Sequence, residues 1–117
     1  MGTVSPFDPV KLFMGVLFHE NMSISDVKTE LSTYFGPIDT YSSPTPFIHS
    51  SYYNDEMGTP LLKCFVSFIH LWNPQYIYKT KLRTQSIENK YAKASQRQLN
   101  LDPGYLTHYQ VSLLSTK

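Results

Sequence analysis

Two apolar segments of strand length, residues 11–18 (KLFMGVLF) and 61–72 (LLKCFVSFIHLW), constrain this chain most. The first is almost wholly apolar, the pattern of a strand central in a sheet. In the second, Leu62, Cys64, Val66 and Phe68 line one face. Lys63, Phe65 and Ser67 line the other, which is only half apolar. Neither run approaches the roughly 18 apolar residues of a membrane-crossing helix.

Each run is followed by a helix start. Ser23 is an N-cap with Asp26 three residues on, and Ile24, Val27, Leu31, Tyr34 and Phe35 recur at helical spacing. Gly36 and Pro37 stop that helix, which is expected over 23–35. Asn73-Pro74 pairs a cap with Pro at the first helical position. This second helix is expected to reach about Lys93, with Ile77, Ile87 and Tyr91 inward. Ile38, Thr40 and Tyr41 suit a short strand, and two prolines within residues 42–46 place it at an edge. Residues 52–58 suggest a turn or one helical turn. Leu99 and Leu101 alternate with Asn100 as a short final strand. Asp102-Pro103-Gly104 is then a turn or a further helix start, and residues 106–114 are assigned to a short helix with strand as the alternative. The expected fold is α+β: a ferredoxin-like β-α-β-β-α-β sandwich, an antiparallel sheet with two helices on one face. Residues 1–117 make one domain.

Charge and cysteine usage narrow the function. Charged residues are 16% and aromatics 15%, which suggests surface covered by a partner, a second copy in a homo-oligomer, or further chain. A net charge of +1 gives no overall field for nucleic acid or membrane. Six of ten basic residues nevertheless fall between Lys79 and Arg97, opposed there only by Glu88. Lys79, Lys81 and Arg83 are therefore candidate phosphate contacts, with a solvated helix face as the simpler reading. The single Cys64, with no signal-like start, points to the cytoplasm. There is no P-loop, no G-x-G-x-x-G and no C-x-x-C, and the four histidines are scattered.

Two resemblances add to this. The segments around Phe13 and Phe65-Val66-Ser67-Phe68 resemble RNA-recognition motifs, which implies bases stacked on Phe13 and Phe65 across an open sheet face. Val16 and Lys63 stand where that motif usually has Asn and an aromatic.

The second is composite. Residues 9–13 (PVKLF), 35–39 (FGPID), Tyr52-Tyr53 with Glu56-Met57-Gly58, Phe65-x-Ser67-Phe68, residues 100–107 (NLDPGYLT) and Ser115-Thr116-Lys117 stand in an order and spacing that resemble a bacterial family of unknown function. Its members are sometimes labelled GTP-binding. The resemblance implies that the family's domain continues beyond Lys117, so this chain looks truncated, lacking a C-terminal hairpin. It makes Tyr52, Tyr53, Glu56, Asn100, Asp102 and Tyr105 the candidate ligand-binding residues, with GTP a possible cofactor despite the missing P-loop. Carboxylates and a phenol in one cleft suit acid, base or metal-ligand roles.

The expectation is a small ligand-binding or interaction module without catalysis. Nucleotide or RNA binding, through the basic second helix or the aromatic face, is the first alternative. A metal-dependent hydrolase using Glu56 and Asp102 is the second.

Overall fold

The computed structural model describes residues 8–48, 57, 60–93, 96–106 and 111–113, the last three by backbone alone. Element order is β1 (Val10–His19), α1 (Ile24–Phe35), β2 (Ile38–Tyr41), β3 (Thr45–Phe47), β4 (Leu61–Trp72), a 3₁₀ turn (Pro74–Tyr76), α2 (Ile77–Lys90), β5 (Leu99–Leu106) and β6 (Val111–Leu113). The sheet runs β2-β4-β1-β5-β6, with β3 also on β4, and every pairing is antiparallel. Central β1 and β4, flanked by β2 and β5, give the expected ferredoxin-like α+β architecture.

The apolar alternation explains which face is covered. Leu12, Met14, Val16 and Phe18 of β1 join Cys64, Val66 and Phe68 of β4 and Leu99 and Leu101 of β5 in one buried cluster. Val27, Leu31 and Phe35 of α1 and Ile87 of α2 close it. Each such side chain contributes about 1.5–3 kcal/mol by leaving water. Both helices therefore lie on one face. Among the described residues, no helix is long and apolar enough to cross a membrane.

The caps act as the residues dictate. The Asp26 N–H donates to Ser23 Oγ at 3.3 Å, and the Gln75 N–H to Asn73 Oδ1 at 3.1 Å. Gly36 takes φ +89°, and a Cβ there would stand 2.3 Å from Cδ2 of His70. Two independent constraints, backbone and packing, thus require glycine at that stop. The edge segments β2 and β3 sit one after the other along β4. At the break between them, the Ser42 N–H donates to Phe65 O at 2.9 Å, and Ser42 Oγ accepts the Phe65 N–H at 2.8 Å. A side chain thus replaces a main-chain acceptor where the prolines interrupt the edge.

The end of the chain corrects the expected reading. Asp102-Pro103-Gly104 is neither a turn nor a helix start; it lies inside β5, opposite Gly15, Met14 and Phe13 of β1. The Leu101 N–H donates outward to Glu88 Oε2 at 2.7 Å rather than to β1. Pro103, two residues on, has the same lateral orientation, so its missing N–H leaves no β1 acceptor unpaired. The expected short helix over 106–114 is overturned too: Val111–Leu113 is β6, paired with Gly104–Leu106. The helix assignment failed because an apolar run is ambiguous without its partner strand.

On α2, which ends at Lys90 rather than near Lys93, the buried positions are Thr80, Thr84, Ile87 and Glu88. Thr80 and Thr84 donate to the carbonyls of Ile77 and Lys81, so neither hydroxyl is left unsatisfied. The two helices are tied by Lys90, whose Nζ lies 2.9 Å from Glu30 Oε2, and by the Tyr91 hydroxyl, which donates to Glu30 at 3.3 Å.

Candidate functional site

The sheet face opposite the helices carries the other half of each strand's alternation. Cross-strand pairing aligns Phe13 with Ser67 and with Gly104, and Gly15 with Phe65 and with Asp102. Directly paired residues share a face, so Phe13, Gly15, Phe65, Ser67 and Asp102 all stand on it. One end of this face is closed by a small cluster of Leu17, Leu61 and Met57, with Phe47 against it. Beyond Gly15 it opens. Phe65 is 50% exposed, and Ile69 and Leu71 further along β4 are exposed as well.

Each ring reaches over a glycine of the neighbouring strand. A Cβ at Gly104 would lie 2.6 Å from Phe13 Cζ, and one at Gly15 would lie 3.4 Å from Phe65 Cε1. The glycines let the rings lie along the sheet instead of standing off it. Lys63 Nζ is 5.5 Å from the Phe65 ring centroid, within reach of a cation–π contact. Phe13, Thr40, Ser42, Phe65 and Ser67 line a shallow depression of about 200 Å³.

Two polar networks border the platform. On the β2 side, Asp39 accepts from Lys11 Nζ and from Ser67 Oγ, each at 2.5 Å. These bonds, Lys11 first, hold its carboxyl below the usual carboxylate range. On the β5 side, Arg97 Nη1 donates to Asn100 Oδ1 at 2.6 Å, and Asn100 Nδ2 donates to Asp102 Oδ2 at 3.3 Å. Arg97 also lies 3.6 Å from the carboxylate of Glu88. Burial pushes the Glu88 carboxyl up, opposed by the Leu101 N–H and the Arg97 charge. Burial likewise raises the Cys64 thiol, which disfavours the nucleophilic thiolate.

The sequence-predicted residues fall in several places. Asn100 and Asp102 meet, as described. Tyr105 pairs with Leu12, a core-facing residue, so it lies on the opposite face of β5 from Asp102. Tyr52, Tyr53 and Glu56 lie outside the described residues. Lys79 and Arg83 sit on α2, across the sheet from the Phe13/Phe65 face, over the rings of Tyr76 (4.7 Å) and Tyr34 (5.1 Å). Lys81 is exposed on the same helix.

Sequence reasoning did not single out Glu88 and Arg97, because they join Asn100 and Asp102 only once β5 docks beside α2. It also missed a groove of about 770 Å³ between α1 and β2, where Lys28 Nζ stands 3.5 Å from the Tyr41 ring centroid among Ser25, Thr29 and Ser32. Among the described residues there is no group of three or more His, Cys, Asp or Glu side chains arranged to hold a metal ion.

No curated protein and no solved structure matches the chain. A family model does match, over residues 8–117, and the chain belongs to that family, the domain of unknown function DUF4416.

Proposed function

We propose that the sheet face opposite α1 and α2 is a stacking platform for a planar ring, the base of a nucleotide or of single-stranded RNA. The observation that carries this is the pair Phe13 and Phe65, diagonal neighbours across β1 and β4 on the face opposite α1 and α2, each lying over a glycine. Phe65 is half exposed and Phe13 partly buried, and aromatics on a ferredoxin-like sheet present π-faces that any base can stack on. Lys63 beside Phe65 adds one cation for a phosphate.

This reading favours the aromatic face over the basic helix, since Lys79 and Arg83 are engaged with tyrosine rings on the far side of the sheet. With few cations on the platform, the base rather than the phosphates, whether of GTP or of RNA, supplies most of the affinity. Base stacking is worth about 1–3 kcal/mol per base. Fluorescence anisotropy with a labelled single-stranded RNA tests the proposal. Phe65→Ala is expected to lower affinity by that amount, whereas charge reversal at Lys79, Lys81 and Arg83 changes it little. The opposite pattern would move the site to α2.

The exposed Ile69 and Leu71 favour a second reading, in which the same face binds another copy of the chain. Light scattering separates the two: a dimer dissociated by Phe65→Ala, with no RNA binding, would support self-association instead.

A further inference from the structure

The platform is not chemically uniform, and its polar border has a direction. Gly15 is flanked on one side by Phe65 and on the other by Asp102, and the side-chain atoms nearest above it are those of the Phe65 ring and the Lys63 stem. Two strand spacings separate those positions, about 10 Å between Cα atoms, and the Phe65 ring reaches across part of it over Gly15. A ring stacked on Phe65 therefore presents one edge toward the Asp102 carboxylate.

That carboxylate is oriented from behind. Arg97 donates to the Asn100 oxygen, which fixes the amide so that its NH₂ faces Asp102 Oδ2. Asn100 is 7% exposed, so the relay is held within the structure. The arrangement offers an acceptor edge to whatever lies over Gly15. An ionised carboxylate attracts paired N–H donors and repels ring nitrogens and carbonyl oxygens.

Resting on the stacking reading, we infer that Asp102 selects a planar heterocycle presenting two adjacent N–H donors on one edge, as guanine does, with Asn100 and Arg97 as positioning residues. Adenine and cytosine each place an acceptor beside their amino group, and uracil has a single donor between two carbonyls.

The test is calorimetric titration of the protein with guanosine, inosine and adenosine monophosphates. Inosine lacks only the amino group. The expected order is guanosine over inosine over adenosine, with about a ten-fold step for the lost charge-assisted bond. Asp102→Asn is expected to bring the guanosine-to-adenosine ratio to about one. Arg97→Gln, which keeps Asp102 but frees Asn100, reduces the ratio by a smaller factor and serves should Asp102→Asn fail to fold. A wild-type protein without guanosine preference, or variants that retain it, would overturn this inference. Loss of binding in Phe65→Ala would leave the stacking reading standing in that case. If none of the three nucleotides binds, the inference falls, and the stacking reading is decided by the RNA titration alone.

Discussion

Gly104→Ala separates the platform's function from the fold's stability. The added Cβ would sit 2.6 Å from Phe13 Cζ and 3.0 and 3.1 Å from the two Cε atoms. Carbon–carbon contact is comfortable at about 3.5 Å, so the tip of the ring must retreat by about 0.9 Å. Cζ lies at the far end of a side chain hinged at χ1, and a swing of about 10° achieves this. Because about 30° off a rotamer costs roughly 0.5–1.5 kcal/mol, this swing costs a few tenths. Removing a strand glycine returns about 0.5–1 kcal/mol from the unfolded chain's entropy. The net change in stability is therefore close to zero. The effect on stacking is larger in proportion. A gap of 0.5–1 Å forfeits about a quarter to a half of a dispersion contact. Applied to stacking worth about 1–3 kcal/mol, the loss is about 0.5–1 kcal/mol, or two- to five-fold in affinity. Urea unfolding and RNA anisotropy on the same preparation read both quantities. Unchanged affinity would refute Phe13 as part of the platform, and a stability loss above about 2 kcal/mol would refute the hinged-ring argument.

Four further outcomes follow from particular residues. Gly36→Ala, at φ +89° and ψ −178°, is expected to cost about 1–3 kcal/mol in urea unfolding. Adding His70→Ala should recover only the steric part of that cost. Glu88, whose carboxyl burial raises, penalises the folded state when ionised. Its contribution is therefore most favourable below the unfolded value near 4.5 and is lost as pH rises through the folded value. Guanidinium unfolding from pH 4 upward should show Glu88→Gln gaining relative to the parent as pH rises, and a constant difference would contradict this. Asp39 has the opposite sign: with its carboxyl lowered by Lys11 and Ser67, its stabilisation is lost as pH falls below about 3.8, and Asp39→Asn removes that acid-limb loss. Finally, a platform with Lys63 as its nearby cation should give a shallow salt dependence, a log–log slope of about −0.7 for one phosphate on a single strand. A slope several times steeper would point to the α2 cluster.

The fold was most legible where local chemistry and tertiary packing agree. Ser23, Gly36 and Asn73 cap the elements their types predict, and the alternation in β4 assigns its two faces. It was least legible where packing overrides a local signal. Asp102-Pro103-Gly104 has turn chemistry, yet Pro103 points its nitrogen off the β1 ladder and Gly104 makes room for Phe13. Thr80 and Thr84 are polar by type but buried by back-bonding to their own helix, while Tyr78 and Leu82 face outward. This inversion explains the weak periodicity of α2. Phe13 and Phe65 were visible as residues, but their lying over paired glycines depends on strand register.

The central claim, a base-stacking face built on Phe13 and Phe65, is tested most directly by measuring single-stranded RNA affinity of Phe65→Ala against the parent chain. Stacking predicts a loss of about 1–3 kcal/mol, five- to 150-fold, with unfolding stability nearly unchanged because the ring is half exposed. Equal affinity in the two proteins would contradict it.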